Sequence, residues 1–180
     1  MKTLRIIVNS VRKRGWIRTL IYIYSEYLFD FSHKVNTRGT LELKEMNVRG
    51  NHDKGCQYQG VNYLSLKNFF EKYKVFISNK VIIDFGSGKG RILIMGMKYK
   101  AKKVIGVEFS KELIDISYRN TNKYSAQNGI NTTCEIIWDD ASNYNFSQEE
   151  GVLFFYNPFD ETIMLRVLDK IKKVRNEVLI

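Results

Sequence analysis

The chain has 180 residues, 44% of them hydrophobic and 27% charged, with a formal net charge of +10 at pH 7. That length holds one domain with a real core, not two. The cysteines Cys56 and Cys134 and the histidines His33 and His52 show no paired spacing, which argues against a disulfide framework or a metal site and suits a reducing, cytoplasmic interior.

Residues 1–31 are basic first and apolar after. Arg5, Arg12, Lys13, Arg14 and Arg18 all precede the first acid, Glu26. Ile17, Leu20, Ile21, Tyr24, Tyr27, Leu28 and Phe31 then recur at helical spacing. The apolar run is too short to span a membrane and is broken by Arg18 and Glu26. No small-residue cleavage signal follows it, which argues against a secretory leader. Two readings stay open: a helix capping the domain edge, or a basic amphipathic segment that touches a membrane surface or a protein partner. Residues 32–62 carry glycines 39, 50, 55 and 60 with little periodicity and read as loop folded over a site. The expected division is thus an N-terminal helix and loop lid over 1–62 and a core over 63–180. Tyr63, Leu64, Leu66, Phe69, Phe70 and Tyr73 open that core with an amphipathic helix.

The stretch from Val81 to Arg91 reads as a buried strand, a glycine turn and the first turn of a helix. An acid, Asp84, stands before Gly86, Gly88 and Gly90, and Ile92, Leu93, Ile94 and Met97 give the following helix an apolar face. The glycines fall at alternate positions, so a dinucleotide fingerprint fails at its sixth position, which is Arg91 or Leu93. A P-loop fails because Gly90 follows Lys89 where Ser or Thr is needed. An acid at this spot would repel a pyrophosphate and favour a ligand carrying an ammonium and a sulfonium. The second strand, Lys103 to Glu108, ends in another acid. A carboxylate there can accept from both ribose hydroxyls of an adenosine, with Phe109 beside the adenine. Ser110 is a plausible N-cap for a helix that stops at Asn128-Gly129. Cys134 to Trp138 is a third strand, followed by Asp139-Asp140-Ala141, and Gly151 to Tyr156 a fourth, fully buried one. Asn157-Pro158-Phe159 leaves its end. Asp160 can cap a last helix carrying Ile163, Val167, Leu168, Ile171 and Val174 on one face, and Glu177 to Ile180 begins a fifth strand.

With Asp-Phe-Gly-Ser-Gly-Lys-Gly-Arg from Asp84, Gly-Val-Glu-Phe-Ser from Gly106 and Asn-Pro-Phe from Asn157, the chain resembles the class I S-adenosylmethionine-dependent methyltransferases. The resemblance runs from about Tyr58 to Asp169. It implies an α/β fold, a Rossmann-like and mainly parallel sheet with helices on both faces, and S-adenosyl-L-methionine as cofactor. The implied cofactor set is Asp84, Gly86, Ser87, Gly88, Gly90, Glu108, Phe109 and Asp140, with Asp140 against the adenine amino group. A turn or helix cap is the rival role for Asp140. The resemblance places Asn157, Pro158 and Phe159 at the acceptor, where Asn157 can accept from an N–H and Phe159 can stack on or shape the acceptor. A purely structural turn is the rival there. The family's Asn/Asp-Pro-Pro-aromatic tetrapeptide is matched only in part, because Pro158 is the one proline. Tyr58-Gln59-Gly60-Val61 stands where the family carries Tyr-x-Pro-Thr, again without the proline.

The resembling fold usually adds a further helix and an antiparallel hairpin after the fifth strand. Their absence points to a truncated or minimal variant, with an open sheet edge free to seek an oligomeric partner. The lysines at 98, 100, 102 and 103 and the cations at 170, 172, 173 and 175 close helices, so they fall at the rim opposite the ligand. That placement takes much of the force from a nucleic-acid reading of the net charge. The expected activity is methyl transfer to a nitrogen of a protein or small molecule, without a metal. The alternatives are a cofactor-binding module without catalysis, or an RNA methyltransferase.

Overall fold

A computed structural model of the chain describes residues 8, 10–13, 15–41, 58–147 and 150–174. A long helix, α1 (Trp16–His33), leads into a two-stranded antiparallel pair, β1 (Thr40–Leu41) and β2 (Tyr58–Gln59). The core follows as α2 (Tyr63–Ile77), β3 (Val81–Phe85), α3 (Arg91–Lys98), β4 (Lys103–Glu108), α4 (Lys111–Asn128), β5 (Thr133–Trp138), a 3₁₀ turn (Ala141–Asn143), β6 (Glu150–Phe155) and α5 (Glu161–Val174). Strands β3 to β6 form one all-parallel sheet in the order β5-β4-β3-β6. The β1–β2 pair is a departure from the irregular loop expected over 32–62. The expected fifth strand over 177–180, Cys56 and His52 lie outside the described residues.

Helices cover both faces, and the sheet residues alternate between two apolar clusters. Ile82, Val104 and Ile136 face α2, α3 and α4, where Leu66, Phe70, Leu93, Ile94 and Tyr124 pack on them. Val81, Ile83, Phe85, Ile105 and Val107 face the other way, against Ile163, Val167 and Ile171 of α5. Every residue of α3 from Arg91 to Met97 is buried, so this helix is enclosed on all sides rather than amphipathic. Ser110 Oγ accepts from the Leu113 amide at 3.3 Å, and Asp160 Oδ1 from the Ile163 amide at 3.0 Å, so both expected caps are formed. Gly129, at φ +60°, ends α4.

Two expectations need correction. The fourth strand is not fully buried: among the described residues β6 is an edge strand, and Gly151 to Phe155 are half-exposed. A run of large apolar residues signals contact with neighbours but does not say on how many sides they stand. The second concerns α1. An edge-capping helix would bury its apolar stripe, and α1 does pack on the domain, but by its other face. Thr19, Ser25, Phe29, Asp30 and His33 turn inward. The stripe from Trp16 to Phe31 faces outward, with Phe31 84% exposed.

Candidate functional site

The carboxyl ends of β3 and β4 lie side by side, with Asp84 paired to Gly106 and Phe85 to Val107 in register. The turn after β3 folds back on β4: the Gly86 and Ser87 amides both donate to Val107 O, at 2.9 and 3.2 Å. Gly86, Gly88 and Gly90 all take positive φ, at +73°, +52° and +82°. The last of them begins α3.

Asp84 is buried, 3% exposed. Burial drives its pKa well above the usual carboxylate range, and the neighbouring Glu108 raises it further. An acid left in this state fits a ligand that brings its own positive charge into the crevice. Glu108 is differently placed. Its Oε2 accepts from the Gly88 amide at 2.8 Å, and its Oε1 from the amides of Phe109 and Ser110, each at 3.0 Å. Burial raises its pKa and these three donors oppose the rise. A carboxylate has about four acceptor positions, so roughly one remains for a ligand hydroxyl. Glu108 thus ties the glycine turn to the tip of β4.

Ser87 packs beneath the turn; a Cβ built on Gly106 would lie 2.7 Å from its Oγ, which is buried and without a hydrogen-bond partner. Phe109 is half-buried, and its carbonyl accepts from Trp138 Nε1 at 3.0 Å. Asp140 Oδ1 accepts from the Ser142 amide at 2.8 Å, so the rival capping role is formed. Asp139 Oδ1 accepts from Asn143 Nδ2 at 2.9 Å.

Beyond β6, Asn157 is exposed in the left-handed region at φ +48°. Pro158 lies against the glycine turn: a Cβ on Gly86 would come within 2.6 Å of the Pro158 Cβ. Phe159 is half-buried and meets Phe155 edge-on, ring centroids 6.4 Å apart. The first and fourth strand ends are therefore brought together. Of Tyr58, only the backbone pairing with Leu41 is described.

A set of charged residues around the turn carries no simple motif. Arg91 is buried; its Nη1 donates to Glu26 Oε2 at 2.6 Å and to Val61 O at 2.7 Å, and its Nε to Thr37 Oγ1 at 2.9 Å. Glu26 Oε1 also accepts from the Tyr63 amide at 2.9 Å. Asp30 is buried, accepting from Thr37 Oγ1 at 2.6 Å and Arg38 Nε at 2.8 Å. Lys89 Nζ donates to Arg38 O, and burial lowers its pKa. From the far side, Asn120 Nδ2 donates to Asn36 O at 3.0 Å and Lys89 O at 2.9 Å. The only signal in the sequence was a pair of acids inside an otherwise apolar and basic helix.

No protein-family model matches the chain. Over 47 residues it is 43% identical to ribosomal protein L11 methyltransferase of Shewanella frigidimarina (strain NCIMB 400), covering 26% of this chain and 16% of that one. Over 90 residues it is 31% identical to ribosomal RNA small subunit methyltransferase A of Prochlorococcus marinus (strain AS9601), covering 47% and 32%. The chain matches a minor part of either relative's length. Among solved structures, the candidate methyltransferase yhhF of Escherichia coli superposes with a TM-score of 0.54 at 11% identity, over 74% of this chain and 73% of that one. The fold is the Rossmann-like one of class I methyltransferases.

Proposed function

We propose that the chain is an S-adenosyl-L-methionine-dependent methyltransferase acting on a nitrogen of a protein or small molecule. The observation that carries this reading is Asp84: a buried carboxyl group, its pKa raised by burial and by Glu108, beside a turn of three positive-φ glycines. The cofactor would supply an electrophilic methyl group on a sulfonium that is already a good leaving group. Asp84 would hold its positive charge, and the one free acceptor position of Glu108 a ribose hydroxyl. Gly86, Gly88 and Gly90 would let its backbone-facing side approach closely, with Ser87 as the spacer beneath them and Phe109 beside the adenine. Asp140, with one carboxylate oxygen committed to its turn, would offer the other to the adenine amino group. Asn157 would accept an N–H of the acceptor, so aiming the nitrogen lone pair, while Pro158 and Phe159 shape its seat. None of these residues needs to be a base. Positioning supplies most of the acceleration, and the acceptor's proton leaves to water after transfer.

A second reading, methyl transfer to RNA, is favoured by the 90-residue match to a ribosomal RNA methyltransferase. One experiment separates the readings. The purified chain is incubated with methyl-labelled cofactor and with protein, small-molecule and RNA fractions of a lysate. Label in the protein or small-molecule fraction supports the first reading, and label in RNA the second. Cofactor binding with no labelled fraction would support a binding module. Failure of S-adenosylmethionine to bind in calorimetry would end all three.

A further inference from the structure

We propose that the outward face of α1 lies on an anionic lipid surface. The face is a single row of aromatic and aliphatic side chains: Trp16, Leu20, Tyr24, Tyr27 and Phe31, spaced three or four residues apart, so all point the same way. Their exposures run from 57% at Leu20 through 64% at Trp16 and 67% at Tyr24 to 84% at Phe31. One cation joins the row, the Arg38 guanidinium, which stacks over the Tyr27 ring 4.0 Å from its centroid. The helix cannot roll to bury it, because the opposite face is fixed by Glu26 on Arg91 and by Asp30 on Thr37 and Arg38.

Charge selects the occupant. Among the described residues from 8 to 41, the exposed charges are Arg12, Lys13, Arg18 and Lys34, all positive. The two acids of the segment, Glu26 and Asp30, are turned inward and paired. A second copy of a chain with net charge +10 would set like charge against like. An anionic bilayer offers both complements at once, apolar depth for the stripe and phosphate charge for the cations. Trp and Tyr belong at that headgroup level. No helix among the described residues is long and apolar enough to cross a membrane, so α1 would lie in the plane of the surface.

The test is co-sedimentation of the full chain with vesicles of phosphatidylglycerol and phosphatidylcholine, against phosphatidylcholine alone. Leu20→Ser combined with Phe31→Ser, both at exposed positions, serves as the comparison, with circular dichroism and cofactor affinity reporting an unchanged fold. The chain should pellet with the anionic vesicles, and the double variant should lose affinity by about tenfold or more. Tryptophan emission should shift to the blue on binding, and Trp16→Phe should abolish the shift. Three results would overturn the proposal: no pelleting, equal pelleting of chain and variant, or a lipid-free dimer that the double variant dissolves into monomers.

Discussion

Pro158 rests directly on Gly86, so close that a single methyl group on the glycine would come within 2.6 Å of the proline Cβ. The turns after the first and fourth core strands are thereby interlocked. Gly86→Ala must both strain a φ of +73° and push that contact apart. Gly129→Ala imposes similar strain at φ +60° with nothing within 4 Å of the new Cβ. The Gly129 variant should lose about 1 kcal/mol. The Gly86 variant should lose about 3 kcal/mol or more, with melting points falling roughly 2–4 °C per kcal/mol. Equal melting points for the two would show that the contact is slack.

The Glu26–Arg91 pair joins the N-terminal helix to the helix that begins at the glycine turn. Removing one partner from a buried pair leaves the other uncompensated, so Glu26→Gln should destabilise by about 3–5 kcal/mol. Glu26→Leu with Arg91→Met should recover part of that loss. Urea denaturation of the single and double variants gives the coupling directly.

Glu108→Gln keeps the shape of the side chain but replaces one acceptor oxygen with an NH₂ group. Because both oxygens receive amide donors, one donor must then face another. The Gly88 amide should exchange its hydrogen faster, and cofactor affinity should fall by about tenfold. Unchanged exchange at Gly88 would mean the turn is held elsewhere.

Asp84 gives the site a pH dependence. Its folded-state pKa is raised, by burial first and Glu108 second. The stability it contributes is therefore fully present below the ordinary carboxylate pKa and lost as pH rises through the higher folded value. Asp84→Asn should gain stability relative to the parent chain as pH rises across that window. A cationic cofactor favours the carboxylate, so binding should release a proton and tighten with rising pH over the same window. Calorimetry in buffers of different ionisation enthalpy measures the release, and the Asn variant should show less of it.

The core strands were legible as short apolar runs, and the glycine turn as an acid before three alternate glycines. The parallel character of the sheet followed from the resemblance, and the caps at Ser110 and Asp160 from residue type; the strand order came from the structure alone. Which way α1 faces was not legible. Helical spacing identifies a stripe but does not say whether the core or the surroundings receive it. The answer lay in contacts such as Glu26 with Arg91, 65 positions apart. Nor could periodicity separate an edge strand from an interior one at Gly151 to Phe155. At Asp140 two roles fitted the same residue, and the hydrogen bond to Ser142 shows the turn-capping one to be formed.

Asn157 occupies a backbone region that glycine tolerates more readily, in a turn open to solvent. A glycine there would relieve the strain and raise the melting point of the protein, at the loss of an exposed side-chain amide. If the proposed acceptor role of Asn157 holds, the fourth strand ends in a trade between durability and use, and a thermostability screen at this position combined with an activity assay would expose it.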